Sequence, residues 1–331
     1  MKGVVTFGEV MMRLSCEAYG RLRQARSFNV LYVGSEASVA SSLALSGIPA
    51  THVTGLPDDD RGEAAAGTLA HYGVNTSRIV YKQGRIGVFF LENGASLRAP
   101  KIIYDRFESV FAKLDPADFD WKSILKDAQW FHWSGITPAI SAGAAQACLD
   151  AVKTASSMGI TVSADINYRR NLWQYGKQPR EVMPELISYS DVLVAGVTDL
   201  ENCLGISGPT WEAACATAMG EYSNVKKIIA TSRKTITASH NILSGMLWDG
   251  ARMITTREFD LQPIIDRVGA GDAFMAGFIY ASISGKPDEE CINYATAAGA
   301  MKHTIEGDVN VASVKEITAL LEGENVGKLL R

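Results

Sequence analysis

The chain has 331 residues, 47% hydrophobic and 21% charged, with a formal net charge of −4. It is long enough for one large α/β domain or two small ones and has the composition of a globular, soluble protein. The mildly negative balance speaks against a general nucleic-acid surface, so an anionic ligand must be held by local arginines and helix ends. Five cysteines, Cys16, Cys148, Cys203, Cys215 and Cys291, show neither C-x-x-C spacing nor a paired framework, which disfavours structural zinc and disulfides and points to a reducing cytoplasm.

In chain order, Met1-Lys2-Gly3 leads into the run Val4–Phe7, too short for a signal-peptide core. Strands are predicted at Val4–Phe7, Thr51–Gly55, Trp130–Trp133, Thr161–Ala164, Val192–Val194 and Lys227–Ala230, each next to an alanine-rich or amphipathic segment. That alternation predicts an α/β fold, a parallel sheet covered by helices. No repeat, low-complexity tract or charged tail divides the chain, so residues 1–331 read as a single domain. Two segments, residues 13–33 and 86–106, lack helical periodicity. The second carries strand-like Gly87–Leu91, a turn at Asn93-Gly94 and Lys101–Tyr104. Together they read as a small β lid or, equally well, as ordinary surface hairpins. The longest uncharged stretch, Ala128–Leu149, is broken by His132, Gly135, Pro138 and Gly143 and reads as strand, loop and helix, a poor membrane span.

The most informative motif is Asp266-Arg267-Val268-Gly269-Ala270-Gly271-Asp272-Ala273-Phe274. It sets two glycines and a carboxylate where an apolar helix begins, a helix expected to run through Ala281 and stop at Gly285 before Pro287. Unpaired amides and the positive dipole end at such a start suit a phosphate, and Asp272 in the first turn suits a base beside it. Dipole complementarity alone would also favour an acid there. Farther upstream, Gly34-Ser35-Glu36-Ala37-Ser38 opens a helix. Tyr104 and Arg106, two apart, point to one strand face if the strand continues, and Ser109 follows. From that segment alone, the favoured reading is a solvated strand end with Arg106 in a surface ion pair. Asp165-Ile166-Asn167-Tyr168-Arg169 follows an apolar strand, where α/β folds place ligand contacts. His132, between Phe131 and Trp133, reads as a hydrogen-bonded core residue. Arg233, in Thr231-Ser232-Arg233, reads equally as a phosphate ligand or a solvated loop arginine.

The Asp266–Phe274 run resembles the D-T-x-G-A-G-D-x-F signature of the ribokinase-like (PfkB-type) carbohydrate kinases, with Arg267 in place of the threonine. The resemblance extends to Gly34–Gly47, although Ser35 and Ser38 replace the usual glycine and asparagine, and to Val53–Gly62. It sharpens toward 2-keto-3-deoxygluconate kinases at Tyr104, Arg106, Ser109, Asp165, Asn167, Arg169, Leu172 and Trp173, with further agreement at Phe131–Thr137 and Lys302–Asp308. It implies a ribokinase-like, doubly wound, mostly parallel sheet with a β lid that also pairs subunits into a homodimer. It further implies Asp272 as catalytic base and Gly269, Ala270 and Gly271 as the anion hole. Substrate binding falls to Gly34, Tyr104, Arg106 and Arg169, and nucleotide or phosphate binding to Asn167, Arg233, Gly269 and Gly271. The implied ligands are ATP, Mg2+ and a monovalent cation, with adenine against the Cys291–Lys302 helix. Gly196-Val197-Thr198-Asp199 departs from the family's N-x-x-E, so no metal ligand is named. The implied reaction is ATP-dependent phosphorylation of 2-keto-3-deoxygluconate at its C6 hydroxyl, in the cytoplasm, with no nucleic-acid or membrane partner. A kinase of neutral sugars such as fructose or ribose and a catalytically silent sugar or nucleotide sensor are the alternatives.

Overall fold

The computed structural model describes residues 2–323. Its strands are β1 (Gly3–Phe7), β2 (Met11–Ser15), β3 (Asn29–Val33), β4 (Ala50–Pro57), β5 (Ile79–Lys82), β6 (Gly87–Glu92), β7 (Lys101–Asp105), β8 (Ala128–Ser134), β9 (Thr161–Asp165), β10 (Val192–Val194), β11 (Lys227–Thr237), β12 (His240–Trp248), β13 (Met253–Thr255) and β14 (Phe259–Leu261). The main sheet has the order β13-β12-β11-β10-β9-β8-β1-β4-β5, with β14 also paired to β12. From β5 through β11 every pairing is parallel. All six predicted strands are present, and β11 runs on to Thr237 because it forms a long antiparallel pair with β12. That extension corrects the reading of Thr231-Ser232-Arg233 as a loop. Their alternation lacks a clear apolar face because the outer half of β11 is exposed.

Strand order reverses beside β1: the chain moves outward through β4 and β5, then returns to β8 on the other side and proceeds through β9 to β11. A parallel doubly wound sheet opens a crevice at the carboxyl ends of strands flanking such a reversal. The residues that follow β1, β8 and β9 therefore converge: Gly8-Glu9, Gly135 and Asp165 at the end of β9. Two apolar layers cover the sheet. One is organised around Phe274, Phe278 and Ile292, the other around Phe7, Phe111, Trp121 and Trp133, with the Phe7 ring 5.5 Å from Phe111 and 5.2 Å from Trp121. All five cysteines are free and buried. Among the described residues no helix is long and apolar enough to cross a membrane.

The two segments without helical periodicity form a separate four-stranded sheet, β3-β2-β6-β7. It begins at Met11, and β6 and β7 are joined by residues 93–100 rather than by a two-residue turn at Asn93-Gly94. Two buried ion-paired groups couple it to the main body. Arg13 of β2, 1% exposed, donates to Asp266 at 2.5 Å and to Asp308, while its Nε bonds Ser15. Arg106, just past β7 and 3% exposed, donates to Glu9. Arg13→Ala leaves two carboxylates buried without their partner and is expected to cost about 3–5 kcal/mol of unfolding free energy. Chemical denaturation checks this, and a loss below about 1 kcal/mol, the worth of an exposed pair, would contradict it.

Candidate active site

Helix Ala270–Ile283 starts where the sequence places it and ends before Gly285, whose φ is +74°. Gly269 precedes it at φ +81°, and a Cβ there would fall 1.9 Å from the Asp308 carbonyl oxygen, so both backbone shape and space require glycine. A Cβ on Gly271 would meet nothing within 4 Å. The first firm amide bond of the helix is Ala273 N–H to Gly269 at 2.8 Å; Ala270 N–H reaches only Arg267, at 3.4 Å. The earlier amides are thus available to an anion at the positive end of a 14-residue helix.

This helix start forms one wall of a cavity of about 310 Å³ at the sheet's switch point. Its lining joins Gly34, Tyr104, Arg106, Asn167, Arg169, Gly269, Ala270, Gly271 and Asp272, residues drawn from four separate stretches of sequence. Asp272 accepts a hydrogen bond from Ser35 Oγ at 2.5 Å. Burial, opposed by that bond and reinforced by Asp165, Asp308 and Glu36, holds the Asp272 carboxyl well above the usual carboxylate range. Asn167 sits at φ +41°. Arg169 is exposed, lines the cavity and among the described residues bonds only the Tyr168 carbonyl, at 3.1 Å.

Arg106 departs from a surface ion pair and also from an unengaged ligand arm. Nε and Nη2 both bond Glu9 Oε2, at 2.8 and 2.5 Å, Ser109 donates to Glu9 Oε1, and the guanidinium carbon stands 5.7 Å from the Tyr104 ring centre. Glu9 fixes the arginine's orientation and leaves Nη1 without a protein hydrogen bond among the described residues. Gly34 is also explained differently. A Cβ there would lie 2.2 Å from the Glu9 carbonyl oxygen, so the close approach that demands glycine is to the chain itself. Arg233 does not line the cavity. It lies exposed on β11, near enough to Arg267 that its charge, after burial, helps lower the Arg267 pKa. The Cys291–Lys302 segment belongs to a core helix, with all residues but Asn293 and Met301 buried. His132 is a core residue bonded to Ser163 at 2.9 Å and kept neutral by burial, which lowers its pKa to about 3.

Glu9 carried no sequence signal, while Glu36, Arg267 and Asp165 stand inside quoted motifs that assigned them no individual role. Glu9 lies in the link between β1 and β2 and Glu36 at a helix start, and Glu36 is buried with Oε1 taking bonds from Ser134 N–H, Ser134 Oγ and Thr137 Oγ1. Arg267 lines the cavity beside the glycines and donates to the Ala238 carbonyl at 2.7 Å. Asp165 ends β9, and burial with Asp199 nearby pushes its pKa up to about 7. Asp199 itself is spent on structure: its two oxygens accept the Tyr168 and Gly196 amides, capping helix Val197–Leu204. The altered Gly196–Asp199 motif is thereby a helix cap. Among the described residues no group of three or more His, Cys, Asp or Glu side chains is arranged to hold a metal ion.

The chain matches the pfkB family carbohydrate kinases over residues 1–314. It belongs to that family. A 2-dehydro-3-deoxygalactonokinase of Haloferax volcanii is 30% identical over 324 residues, 98% of each chain. The crystal structure of a 2-dehydro-3-deoxygluconokinase from Thermotoga maritima superposes with a TM-score of 0.92 at 41% identity, covering 98% of this chain and 100% of that one. A putative ribokinase II from E. coli, solved with ATP and Mg2+, shares the fold at a TM-score of 0.82 and 20% identity, covering 98% and 100%. The fold is ribokinase-like, and this carbohydrate kinase resembles, along its whole length, kinases named for 2-dehydro-3-deoxy sugar acids.

Asp165 gives a stability test of this crowded site. Its folded pKa near 7 lies above the unfolded value of about 4, so the folded state binds the extra proton between those limits and stability falls as pH rises through them. Asp165→Asn should therefore raise the melting temperature at about pH 8, above the folded pKa, and change it little near pH 4. Thermal melts at the two pH values check the sign; a variant less stable at the higher pH would contradict it.

Proposed function

We propose that this kinase transfers the γ-phosphoryl group of ATP to the C6 hydroxyl of 2-keto-3-deoxygluconate. The observation that carries the reading is a single cavity with Tyr104, Arg106 and Arg169 as well as Asp272 and the Gly269–Gly271 amides on its walls. A sugar acid presents a carboxylate for which guanidinium groups make charge-assisted, often bidentate bonds. A neutral sugar would leave Arg169 without a partner in the same cavity, and the fructose or ribose reading required both arginines to face solvent or another subunit. Arg169 supplies the unpaired guanidinium. Arg106, aimed by Glu9, supplies a further N–H from a rigid support.

Asp272 then takes the C6 hydroxyl proton as the C6 oxygen bonds to the γ-phosphorus and the bond to the β–γ bridging oxygen breaks, releasing ADP. A carboxylate desolvated among other carboxylates is a stronger base than one in water. Ser35 holds it in place. The amides of Gly269, Ala270 and Gly271 stabilise charge on the transferring group. Arg267, and Arg233 beyond it, add positive charge where the phosphates would lie, and neither forms an ion pair among the described residues. Mg2+ bound with the nucleotide would supply charge neutralisation at the phosphates. Mg2+ typically keeps several waters and uses one or two carboxylates, and Asp165 fits that role because Asp199 is committed to backbone amides. Asn167 completes the nucleotide side. The apolar side chains of Val30 and Ile103, exposed on the face of the four-stranded sheet opposite the cavity-lining Ile102 and Tyr104, support a homodimer paired through it, with the sheet also serving as the lid.

Asp272→Asn should lower turnover by roughly 10²–10⁴-fold with near-normal ATP affinity. In the wild type, kcat/KM should fall on the acid side with an apparent pKa above about 4, because Asp272 accepts a proton only when charged and its site holds the carboxyl up. A variant keeping more than about a tenth of wild-type turnover would sink the base assignment.

Arg169→Ala should raise KM for the acid sugar by about tenfold or more while changing that for ATP less. The wild type should prefer 2-keto-3-deoxygluconate over fructose or ribose by about 10⁴-fold in kcat/KM. An ADP-release assay across acid and neutral sugars decides it, with comparable efficiency on a neutral sugar overturning the reading.

A further inference from the structure

Under the anion-hole loop lies a lysine that takes no part in the chemistry described so far. Lys302, the last residue of helix Asp288–Lys302, is 0% exposed. Its ammonium donates to two main-chain carbonyls, Ile305 at 2.9 Å and Asp266 at 3.3 Å. The Asp266 carboxylate, whose carbonyl Lys302 holds, accepts the Val268 amide at 3.0 Å, the Gly307 amide at 3.2 Å and Arg13. Asp308, bonded to Arg13, reaches the cavity, and its carbonyl is the atom that forces glycine at position 269.

A bound K+ or Na+ in this region would need a cage of carbonyl and carboxylate oxygens. Here that cage already holds a cation. Arg13 pairs with both Asp266 and Asp308, and the Lys302 ammonium, on the Asp266 and Ile305 carbonyls, lies in the field of the same two carboxylates, so a further cation there would meet two positive charges already in place in a desolvated cluster. Lys302 also acts on geometry. In a planar trans peptide the N–H points opposite the C=O, so fixing the Asp266 carbonyl on the ammonium directs the Arg267 N–H away from it. The turn that presents Gly269–Gly271 is thus fastened from below.

We propose that Lys302 is a positioning residue that supplies, from within the chain, the fixed positive charge under the anion hole, so that phosphoryl transfer needs no monovalent cation. The proposal rests on the kinase reading but not on which sugar is the acceptor. It therefore separates from that reading: turnover of any sugar suffices for the test, and failure to use the acid sugar would count only against the substrate.

The first measurement uses the wild-type protein in KCl, NaCl or tetramethylammonium chloride at about 0.1 M, equal ionic strength holding screening constant. Turnover is expected to agree within about twofold and the melting temperature to be the same, since no ion site is being filled. Stimulation of more than about fivefold by K+ or Na+ over tetramethylammonium, or a clear rise in melting temperature specific to one of them, would overturn the proposal.

The second uses Lys302→Met. In tetramethylammonium chloride its kcat should fall by about tenfold or more with little change in acid-sugar KM, and K+ or NH4+ should restore part of the loss. A folded variant with normal turnover, or one whose loss neither ion reduces, would overturn it. Should Lys302→Met not fold, the wild-type ion series decides alone.

Discussion

The cavity end of this molecule depends on a buried knot of Arg13, Lys302, Asp266 and Asp308. Each member comes from a different part of the chain: a strand of the small sheet, the end of a core helix, the loop before the anion hole, and the tail after residue 302. Burying four such charges costs several kcal/mol each before their mutual attraction is counted. The arrangement holds because nearly every donor and acceptor finds a partner. Its consequence is geometric, since the Gly269 turn, pressed against the Asp308 carbonyl, has no freedom to drift. A preorganised anion hole is worth most when its amides need not move as charge develops.

The cavity above the knot is electrostatically divided. Glu9, Glu36, Asp165, Asp272 and Asp308 line it together with Arg106, Arg169 and Arg267. Glu9 and Arg106 satisfy each other, Asp308 is held by Arg13, and Glu36 is bonded to Ser134 and Thr137. What remains unsatisfied is informative: Asp165 and Asp272, both raised above the ordinary carboxylate range, and the arginines Arg169 and Arg267 without ion pairs among the described residues. Ligands carrying both a carboxylate and phosphates, with an accompanying divalent ion, would complete all four. A site assembled to be completed by its ligands stores instability in their absence, as expected where function and stability compete.

Much of this could be read from residues in order. The helix start at Gly269–Asp272, the six parallel strands and the two segments of the small sheet follow from local rules: apolar runs, glycine at turns, an acid in a first helical turn. Such signals act over a few residues, so the sequence carries them openly. The motif pairs Tyr104 with Arg106, and Asp165 with Arg169, were legible because each pair is close in the chain.

The partners of those residues were not legible. Nothing local to Glu9 says that it will hold Arg106, 97 residues away, and nothing near Lys302 says that its ammonium will cap the Asp266 carbonyl from 36 residues off. Arg233 was misplaced on a loop because the strand it occupies is recognisable only by its pairing with β12, and the Cys291–Lys302 helix is core only because helix Ala270–Ile283 and β12 cover it. By itself the sequence determined the fold class, the glycine turn at the start of helix Ala270–Ile283 and the carboxylate beside it, all set by backbone conformation and short-range periodicity. Which charges are spent on one another and which are left for a ligand was decided only by tertiary structure, because burial and long-range pairing, the terms that set the fate of a charge, exist only once the chain has folded.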